Sequence, residues 1–296
     1  MKAVFYIFLI RLSRVFGSWV FVLISRLIAA CYYILFPNKA AVSVRFYRTV
    51  FPGHCLIYYL ICAWKQYKNF TYVFLDRFLV RDLNDITYTS EGHQHLETAV
   101  GRTGGILLMS HLGNWDVAAN LLKKKYDRLK ILLYMGIRNK EQIEAIQKED
   151  LAEKGVEIVA VDQEGGSPFD IIKGIEFIRS GGLVSMTGDV LWRKGQRSVS
   201  VKILGHEALL PDVPYLFAHL SGAPLFIFFA FRTGDKSYHF NISEPIQINC
   251  PSRAKRDEII RKSAQKYADI LEQTILMHPF EWYHFEPFLI PRNPDR

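Results

Sequence analysis

The chain has 296 residues, of which half are apolar and 14% are aromatic, and its formal net charge is +8. This length suits one large domain or two small ones with a substantial core. The charge is uneven, because nine Lys and Arg residues but no Asp or Glu precede Asp76. These basic residues alternate with large apolar ones, which argues against a soluble nucleic-acid-binding patch.

The first predicted element is an apolar segment from Val15 to Phe36 in which Arg26 is the only charged residue. The segment is long enough to cross a bilayer, but a central arginine is costly there. Its few small or polar residues fall close to one helical stripe: Ser18, Ser25, Arg26 and Ala29. This stripe favours a helix that lies in the membrane interface or packs against protein. The basic residues around it favour the anionic cytoplasmic face of a membrane, and those before it argue against a cleaved signal peptide.

We therefore divide the chain into a membrane-anchoring or interfacial helical segment, residues 1–48, and an α/β domain, residues 49–296. This second part begins with helical residues, from about Gly53 to Leu79. From Gly104 onwards, strands at 105–110, 130–134, 156–161 and 182–187 alternate with helices at about 115–125, 139–153 and 168–179. The alternation predicts an α/β fold with a mainly parallel central sheet flanked by helices.

The regular alternation of strands and helices ends after Asp189. Strands are predicted at 198–204, 223–231 and 238–248, and a short helix at 212–220. An amphipathic helix at about 253–276 carries its large apolar residues on one side: Ile259, Ile260, Tyr267, Ile270, Leu271 and Ile275. This apolar side is expected to face the core.

The segment Ser110–Asp116 follows the first of these buried strands and contains a histidine and an aspartate, His111 and Asp116. Residues five apart in a helix point about 140° away from each other, so the two can meet only if His111 lies in the preceding loop. Gly113 makes such a loop easy, and Asn114 can cap the following helix. An Asp bonded to a ring N–H would fix the tautomer and stabilise the imidazolium. The alternative is a purely structural histidine and aspartate.

A second polar position, Asp189, follows the fourth strand of the alternating region. In an open parallel sheet, ligands gather at the carboxyl ends of the strands. Convergence of His111 and Asp189 at that edge would therefore create one pocket. The nearby Arg193, Lys194 and Arg197 either bind an anionic group or form a solvated loop.

Other catalytic templates are absent from the sequence. It has no Gly-x-Ser-x-Gly elbow, no dinucleotide-binding glycine motif and no phosphate-binding loop. Its four cysteines have no metal or redox spacing and are interpreted as reduced and buried. A histidine base without a protein nucleophile suits activation of a hydroxyl group on the substrate itself.

These features resemble the bacterial lipid A lauroyl/myristoyl acyltransferase family, within the lysophospholipid acyltransferase superfamily. His111 and Asp116 match its His-x4-Asp signature, although lipid A members often have Glu at the second position. Further stretches resemble the family in the same order along the chain: Val50–Gly53, Tyr134–Asn139, Ser180–Asp189, Leu210–Pro211, Gly222–Leu225 and His278–Phe285. Ile203-Leu204-Gly205 replaces the common Phe-Phe-Gly, and the Phe-Pro-Glu-Gly-Thr block of glycerolipid enzymes is missing. These departures leave the acceptor open.

The resemblance implies a membrane-associated O-acyltransferase at the cytoplasmic face of the bacterial inner membrane, with no metal or other cofactor. The donor is an acyl-carrier-protein or coenzyme A thioester, and the acceptor is a lipid A precursor, an acylated sugar or mannoside, or another amphiphilic lipid. His111 is the predicted general base and Asp116 orients it. The candidate substrate-binding residues are Asn114, Asp189, Arg193 and Arg138. The alternatives are a hydrolase of acyl thioesters or lipids, and a peripheral membrane scaffold without activity.

Overall fold

The computed structural model describes residues 11–13, 15–79, 86–114, 117, 122, 129–136, 156–161, 168–192 and 195–290. Most of the predicted helices at about 115–125 and 139–153 lies outside these ranges, so these two helices stay predictions. In the part of the chain that the structure describes, the α/β prediction is confirmed. A mainly parallel sheet is flanked by helices, and an apolar helix lies near the N-terminus.

The N-terminal part is helical, with α1 (Ser18–Leu35), α2 (Pro37–Val50) and α3 (Leu56–Leu79). Pro37 is the first residue of α2, where its missing N–H has no helical partner to lose. This proline separates α1 from the polar helix that follows. The predicted division at residue 48 falls within α2 and stays a prediction.

The strands are β1 (Thr87–Glu91), β2 (Gly105–Met109), β3 (Ile131–Gly136), β4 (Val156–Val161), β5 (Leu183–Thr187), β6 (Ser198–Ile203), β7 (His206–Pro211), β8 (Leu225–Gly234), β9 (Ser237–Ile242) and β10 (Leu289–Ile290). The later helices are α4 (His93–Glu97), α5 (Pro168–Arg179), α6 (Val213–Ser221) and α7 (Arg256–Met277). The large sheet has the order β1-β9-β8-β2-β5-β3-β4, and a small sheet has the order β10-β7-β6. Neighbours in the large sheet are parallel except β8 and β9.

The strands of the alternating region lie where the sequence predicts them, to within two residues. The predicted strand at 238–248 is too long, because β9 ends at Ile242 and Ile246 forms only an isolated bridge. The sequence pattern missed β1. It also missed β7, which begins with two polar residues and so shows no clear alternation of apolar and polar side chains. β7 pairs with β6 through a two-residue turn at Leu204 and Gly205, both at positive φ, as tight hairpins require.

The central strands of the sheet are buried on both faces. Along β2, Ile106 and Leu108 join the apolar cluster that includes α7, whereas Leu107 and Met109 join the cluster on the opposite face. Burial on both faces explains why β2 is continuously apolar, as is usual for parallel strands. In α7 the buried stripe includes Tyr267, which confirms the predicted apolar side of that helix.

Candidate active site

The register of the sheet brings His111 and Asp189 together. β2 and β5 are parallel neighbours in which Met109 lies opposite Thr187, so His111 and Asp189 each stand two residues beyond a paired position. The N–H of Gly188 donates to the carbonyl of Met109 at 2.7 Å, which continues the pairing past the strand ends. The expected convergence of these two sites at the carboxyl edge of the sheet is therefore found.

Asp189 holds His111 through both its ring and its backbone. Nδ1 of His111 lies 3.0 Å from Oδ1 of Asp189, and the backbone N–H of His111 donates to Oδ2 at 2.8 Å. The Asp189 side chain is 0% exposed, whereas the His111 side chain is 32% exposed. When Nδ1–H donates to the carboxylate, Nε2 is the nitrogen that accepts a proton in the neutral ring.

The Asp189 carboxyl group is ionised at neutral pH. Its burial by itself raises the pKa, but the charge of His111 and the hydrogen bonds from it outweigh that effect and lower the pKa to about 2. An ionised carboxylate only accepts hydrogen bonds, and it favours a positive charge on the neighbouring imidazole. The arrangement can therefore stabilise His111 after it has taken up a proton.

The C-terminal segment Glu281–His284 completes the enclosure of this carboxylate. Nε1 of Trp282 donates to Oδ2 of Asp189 at 3.0 Å. The segment runs beside the His111 loop, because Gly113 N–H donates to the Glu281 carbonyl and Tyr283 N–H donates to the His111 carbonyl. The sequence motif at His278–Phe285 was part of the family resemblance, but sequence reasoning assigned it no role in the site.

A second imidazole, His284, lies near the first. Its ring centroid is 6.1 Å from that of His111 and 5.1 Å from that of Trp282. Burial lowers the pKa of His284, and its Nδ1–H donates to the Glu286 carbonyl at 3.1 Å. His284 is therefore a neutral, oriented imidazole beside that of His111. Sequence reasoning did not assign His284 to the site, because the only signal was its place in the aromatic-rich stretch His278–Phe285.

The loop after His111 has one conformation that glycine alone accommodates. Gly113 has φ of 79°, and a Cβ at this position would lie 2.0 Å from the carbonyl oxygen of Ala230. Asn114 is buried, and its Nδ2 donates to Oδ2 of Asp76 in α3 at 3.1 Å. This contact anchors the loop after His111 to α3. The predicted role of Asn114 in substrate binding stays a prediction.

A polar cavity of about 230 Å³ lies on the β8 side of the loop. Its lining includes Asn69, Tyr72, Asp76, Asn114 and Arg232, but not His111. Nε of Arg232 donates to Oδ1 of Asp76 at 3.1 Å. Burial raises the pKa of Asp76 despite the opposing effect of Arg232. His111 itself does not line this cavity and instead contacts Asp189, two residues beyond the end of β5.

Three predicted site residues, Asp116, Arg138 and Arg193, lie outside the described residues, so their roles stay predictions. Arg197 forms an ion pair with Asp212 at 3.0 Å. Within the described ranges, no group of three or more His, Cys, Asp or Glu side chains is arranged to hold a metal ion.

Comparison with known families gives one finding. Residues 64–289 match the sequence model of a family described as bacterial lipid A biosynthesis acyltransferase. The match spans about three quarters of the chain and contains the His111 loop, Asp189 and the segment Glu281–His284. A search among curated proteins gives no match.

Proposed function

We propose that this chain, which belongs to the bacterial lipid A biosynthesis acyltransferase family, moves a fatty acyl group from an acyl thioester to a hydroxyl group of a lipid or glycolipid. Membership makes the chain an acyltransferase. The proposal adds the thioester donor, bound to an acyl-carrier protein or coenzyme A. The acceptor is a lipid A precursor, an acylated sugar or mannoside, or a related amphiphile.

His111 is the proposed general base. Its Nε2 takes the proton of the acceptor hydroxyl while that oxygen forms a bond to the thioester carbonyl carbon. The carbon–sulfur bond then breaks, and the imidazolium returns the proton to the leaving sulfur, which gives an ester and a free thiol. The supporting observation is a partly exposed imidazole whose Nδ1 contacts a wholly buried, ionised carboxylate.

Asp189 acts through His111 in this proposal. It is fully enclosed, and it accepts hydrogen bonds from the ring and backbone of His111 and from Trp282. It therefore fixes the tautomer and stabilises the imidazolium. The sequence assigned this orienting role to Asp116. We assign the contact at Nδ1 to Asp189, and the experiment below tests the two acids side by side.

Membrane association is part of the proposal. In the described residues, α1 is the one helix long and apolar enough to cross a membrane, by length and composition. The surrounding chain is basic and carries no acid before Asp76. Both features support a place at the cytoplasmic face of the bacterial inner membrane, where a lipid acceptor is available.

The experiment follows acyl transfer by mass spectrometry. The full chain in detergent is incubated with acyl-coenzyme A or acyl-carrier protein, with and without membrane lipid extract. We expect one acceptor lipid to gain the mass of one acyl group. We expect His111→Ala to abolish this product, Asp189→Asn to reduce it, and His219→Ala on α6 to leave it unchanged.

Two outcomes contradict the proposal. Thiol release that is equally fast without acceptor indicates a thioester hydrolase. Full acyl transfer by His111→Ala excludes this histidine as the base. A larger loss in Asp116→Asn than in Asp189→Asn returns the main orienting role to the acid that the sequence suggested.

A further inference from the structure

One face of α1 exposes large apolar side chains to the outside of the protein. Trp19, Leu23 and Leu27 are spaced four residues apart and are 62%, 59% and 62% exposed. Ile34 lies on the same side and is also exposed. A contiguous exposed apolar surface of this kind marks contact with another apolar phase.

The opposite face of α1 packs along α3 in the antiparallel direction. Near the start of α1, Phe21 shares a buried cluster with Leu75. Further on, Nη2 of Arg26 donates to the Tyr72 hydroxyl at 2.7 Å. Near the end, the Tyr33 hydroxyl donates to the Leu60 carbonyl at 2.9 Å. Residue numbers rise along α1 as they fall along α3, so the two helices lie side by side for most of the length of α1.

The helix α3 is in turn hydrogen-bonded to the chain segment that contains Trp282. Nε2 of Gln66 donates to the Trp282 carbonyl, and Nδ2 of Asn69 donates to the Phe280 carbonyl at 3.4 Å. The guanidinium of Arg232 lies 4.7 Å from the Tyr72 ring centroid. Thus α1 lies beside a helix that is bonded to the chain segment containing Trp282 and packs against Arg232 of β8.

This arrangement conflicts with a bilayer crossing by α1. The hydrocarbon core is about 30 Å thick, and a helix that crosses it takes along whatever is packed beside it. A crossing would place the middle of α3, with Lys65 and Lys68, at hydrocarbon depth, where lysine is costly. We infer that α1 lies in the plane of the membrane, within one leaflet, with its exposed face towards the lipid.

The occupant of this face is the surface of an anionic bilayer. The apolar surface continues on the first turns of α3, where Leu56, Ile57 and Ile61 are exposed. The intervening helix α2 exposes its basic residues: Lys39, Arg45 and Arg48. A lipid-facing apolar surface with basic neighbours is typical of helices that lie in the interface of anionic membranes. The inference builds on the proposed membrane association and is independent of acyl transfer.

The test measures the depth of α1 in vesicles of phosphatidylglycerol and phosphatidylethanolamine. Single cysteines replace Trp19, Leu23, Leu27 or Ile34 in the full chain without its four native cysteines, and each carries a nitroxide label. Collision of the label with oxygen and with a water-soluble nickel chelate reports its depth. We expect the four labels to lie at nearly one depth, about 5–10 Å below the surface.

A crossing helix gives a different profile, in which depth changes by about 1.5 Å per residue towards the bilayer centre. Such a profile overturns the in-plane inference but leaves membrane association intact. A label at the exposed Lys262 of α7 defines the fully aqueous signal. If the α1 labels match it, both the inference and the membrane association are wrong. Neither outcome bears on acyl transfer, which the mass-spectrometric assay measures separately.

A second measurement uses sedimentation with the same vesicles. We expect Leu27→Ser to weaken vesicle binding about tenfold, the effect of removing one lipid-buried leucine. The matched control is Leu220→Ser, at a similarly exposed leucine at the end of α6, where the chain turns towards the amino end of β8. Equal effects of the two substitutions contradict the inference. Turnover of detergent-dispersed acceptor serves as the test of folding for both variants.

Discussion

The carboxyl edge of the sheet buries a charged group, whereas helix α1 exposes large apolar side chains. At the edge, the protein encloses the charge of Asp189 completely and provides hydrogen-bond donors from His111 and Trp282. On α1, it leaves apolar residues such as Leu27 largely exposed. A buried charge needs partners within the protein, whereas exposed apolar surface is stabilised by a phase outside it. In the proposed function, acyl transfer and membrane association therefore depend on separate regions, and α3 contacts both of them.

The largest effect that separates the two regions is expected from His111→Gln. Loss of a general base typically lowers kcat by about 10²–10⁴-fold. We expect vesicle binding to stay close to wild type and the unfolding temperature to fall, because the buried Asp189 carboxylate loses its imidazole partner. Steady-state kinetics with sedimentation measures both properties. Near-wild-type turnover contradicts the role of His111, and a loss of vesicle binding contradicts the separation of the two regions.

A smaller loss is expected from Asp189→Asn. The three hydrogen bonds that the described residues make to this carboxylate all come from donors, so an amide NH2 in place of one oxygen faces a donor. Hydrogen bonds to a charged group are worth about 1.5–3 kcal/mol, which corresponds to a loss of about 10- to 100-fold in kcat. Single-turnover kinetics checks this value, with the exposed Asp235→Asn on the β8–β9 turn as the control.

We also expect the pH dependence of kcat/KM to shift in Asp189→Asn. The pKa of Asp189 is about 2, so the carboxylate stays ionised throughout an ordinary assay range and does not itself produce an acidic limb. In the proposed mechanism, protonation of His111 produces that limb. Removal of the negative neighbour makes an imidazolium less favourable, so the limb moves to lower pH in Asp189→Asn, by about one unit. Profiles of kcat/KM against pH measure it, and a shift to higher pH contradicts the charge coupling.

Trp282→Phe tests the donor that comes from the C-terminal segment. The variant keeps an aromatic ring but removes the Nε1–H that bonds Asp189. We expect about 2 kcal/mol less free energy of unfolding in urea, the usual contribution of one hydrogen bond to a charge. Turnover should fall less than in Asp189→Asn, because both bonds between Asp189 and His111 remain. A loss as large as that of His111→Gln requires a different role for Trp282.

The smallest effect on turnover is expected from Tyr72→Phe in α3. This change removes the hydroxyl that bonds Arg26 of α1 but keeps the ring beside Arg232. We expect a loss of about 1 kcal/mol in unfolding free energy and no change in kcat on detergent-dispersed acceptor. Labels on α1 should become more mobile in their electron resonance spectra. A fall in kcat indicates that α1 influences the site directly.

Much of the fold could be predicted because local rules govern it. The continuous apolar run of β2 is typical of a strand that is buried on both faces. The helical spacing of apolar residues in α7 is typical of a helix that is buried on one side. The elements that escaped prediction depend on pairing with distant chain. β7 begins with two polar residues and is a strand because β6 lies beside it. The N-terminal polar stripe indicated a packed or interfacial helix, but only tertiary contacts such as that of Arg26 with Tyr72 identify α3 as its neighbour.

The candidate site was predictable only in part. His111 stands out because a glycine-containing loop follows a buried strand, and the positive φ of Gly113 agrees with that interpretation. Spacing along the chain suggested the nearby Asp116 as its partner. The described partner of Nδ1 is Asp189, which is 78 residues away along the chain. Trp282, which also bonds Asp189, is farther still along the chain. No local pattern in the sequence connects these residues.

The sequence alone determined the strand before His111, the glycine loop, the amphipathic α7 and the acid-free basic N-terminus, because each depends on neighbours a few residues apart. Tertiary structure decided the site. The order of strands places β5 beside β2, although β3 and β4 come between them in the chain, and the parallel register then sets Asp189 against His111. Strand order results from the packing of whole faces, a property that short-range periodicity does not contain.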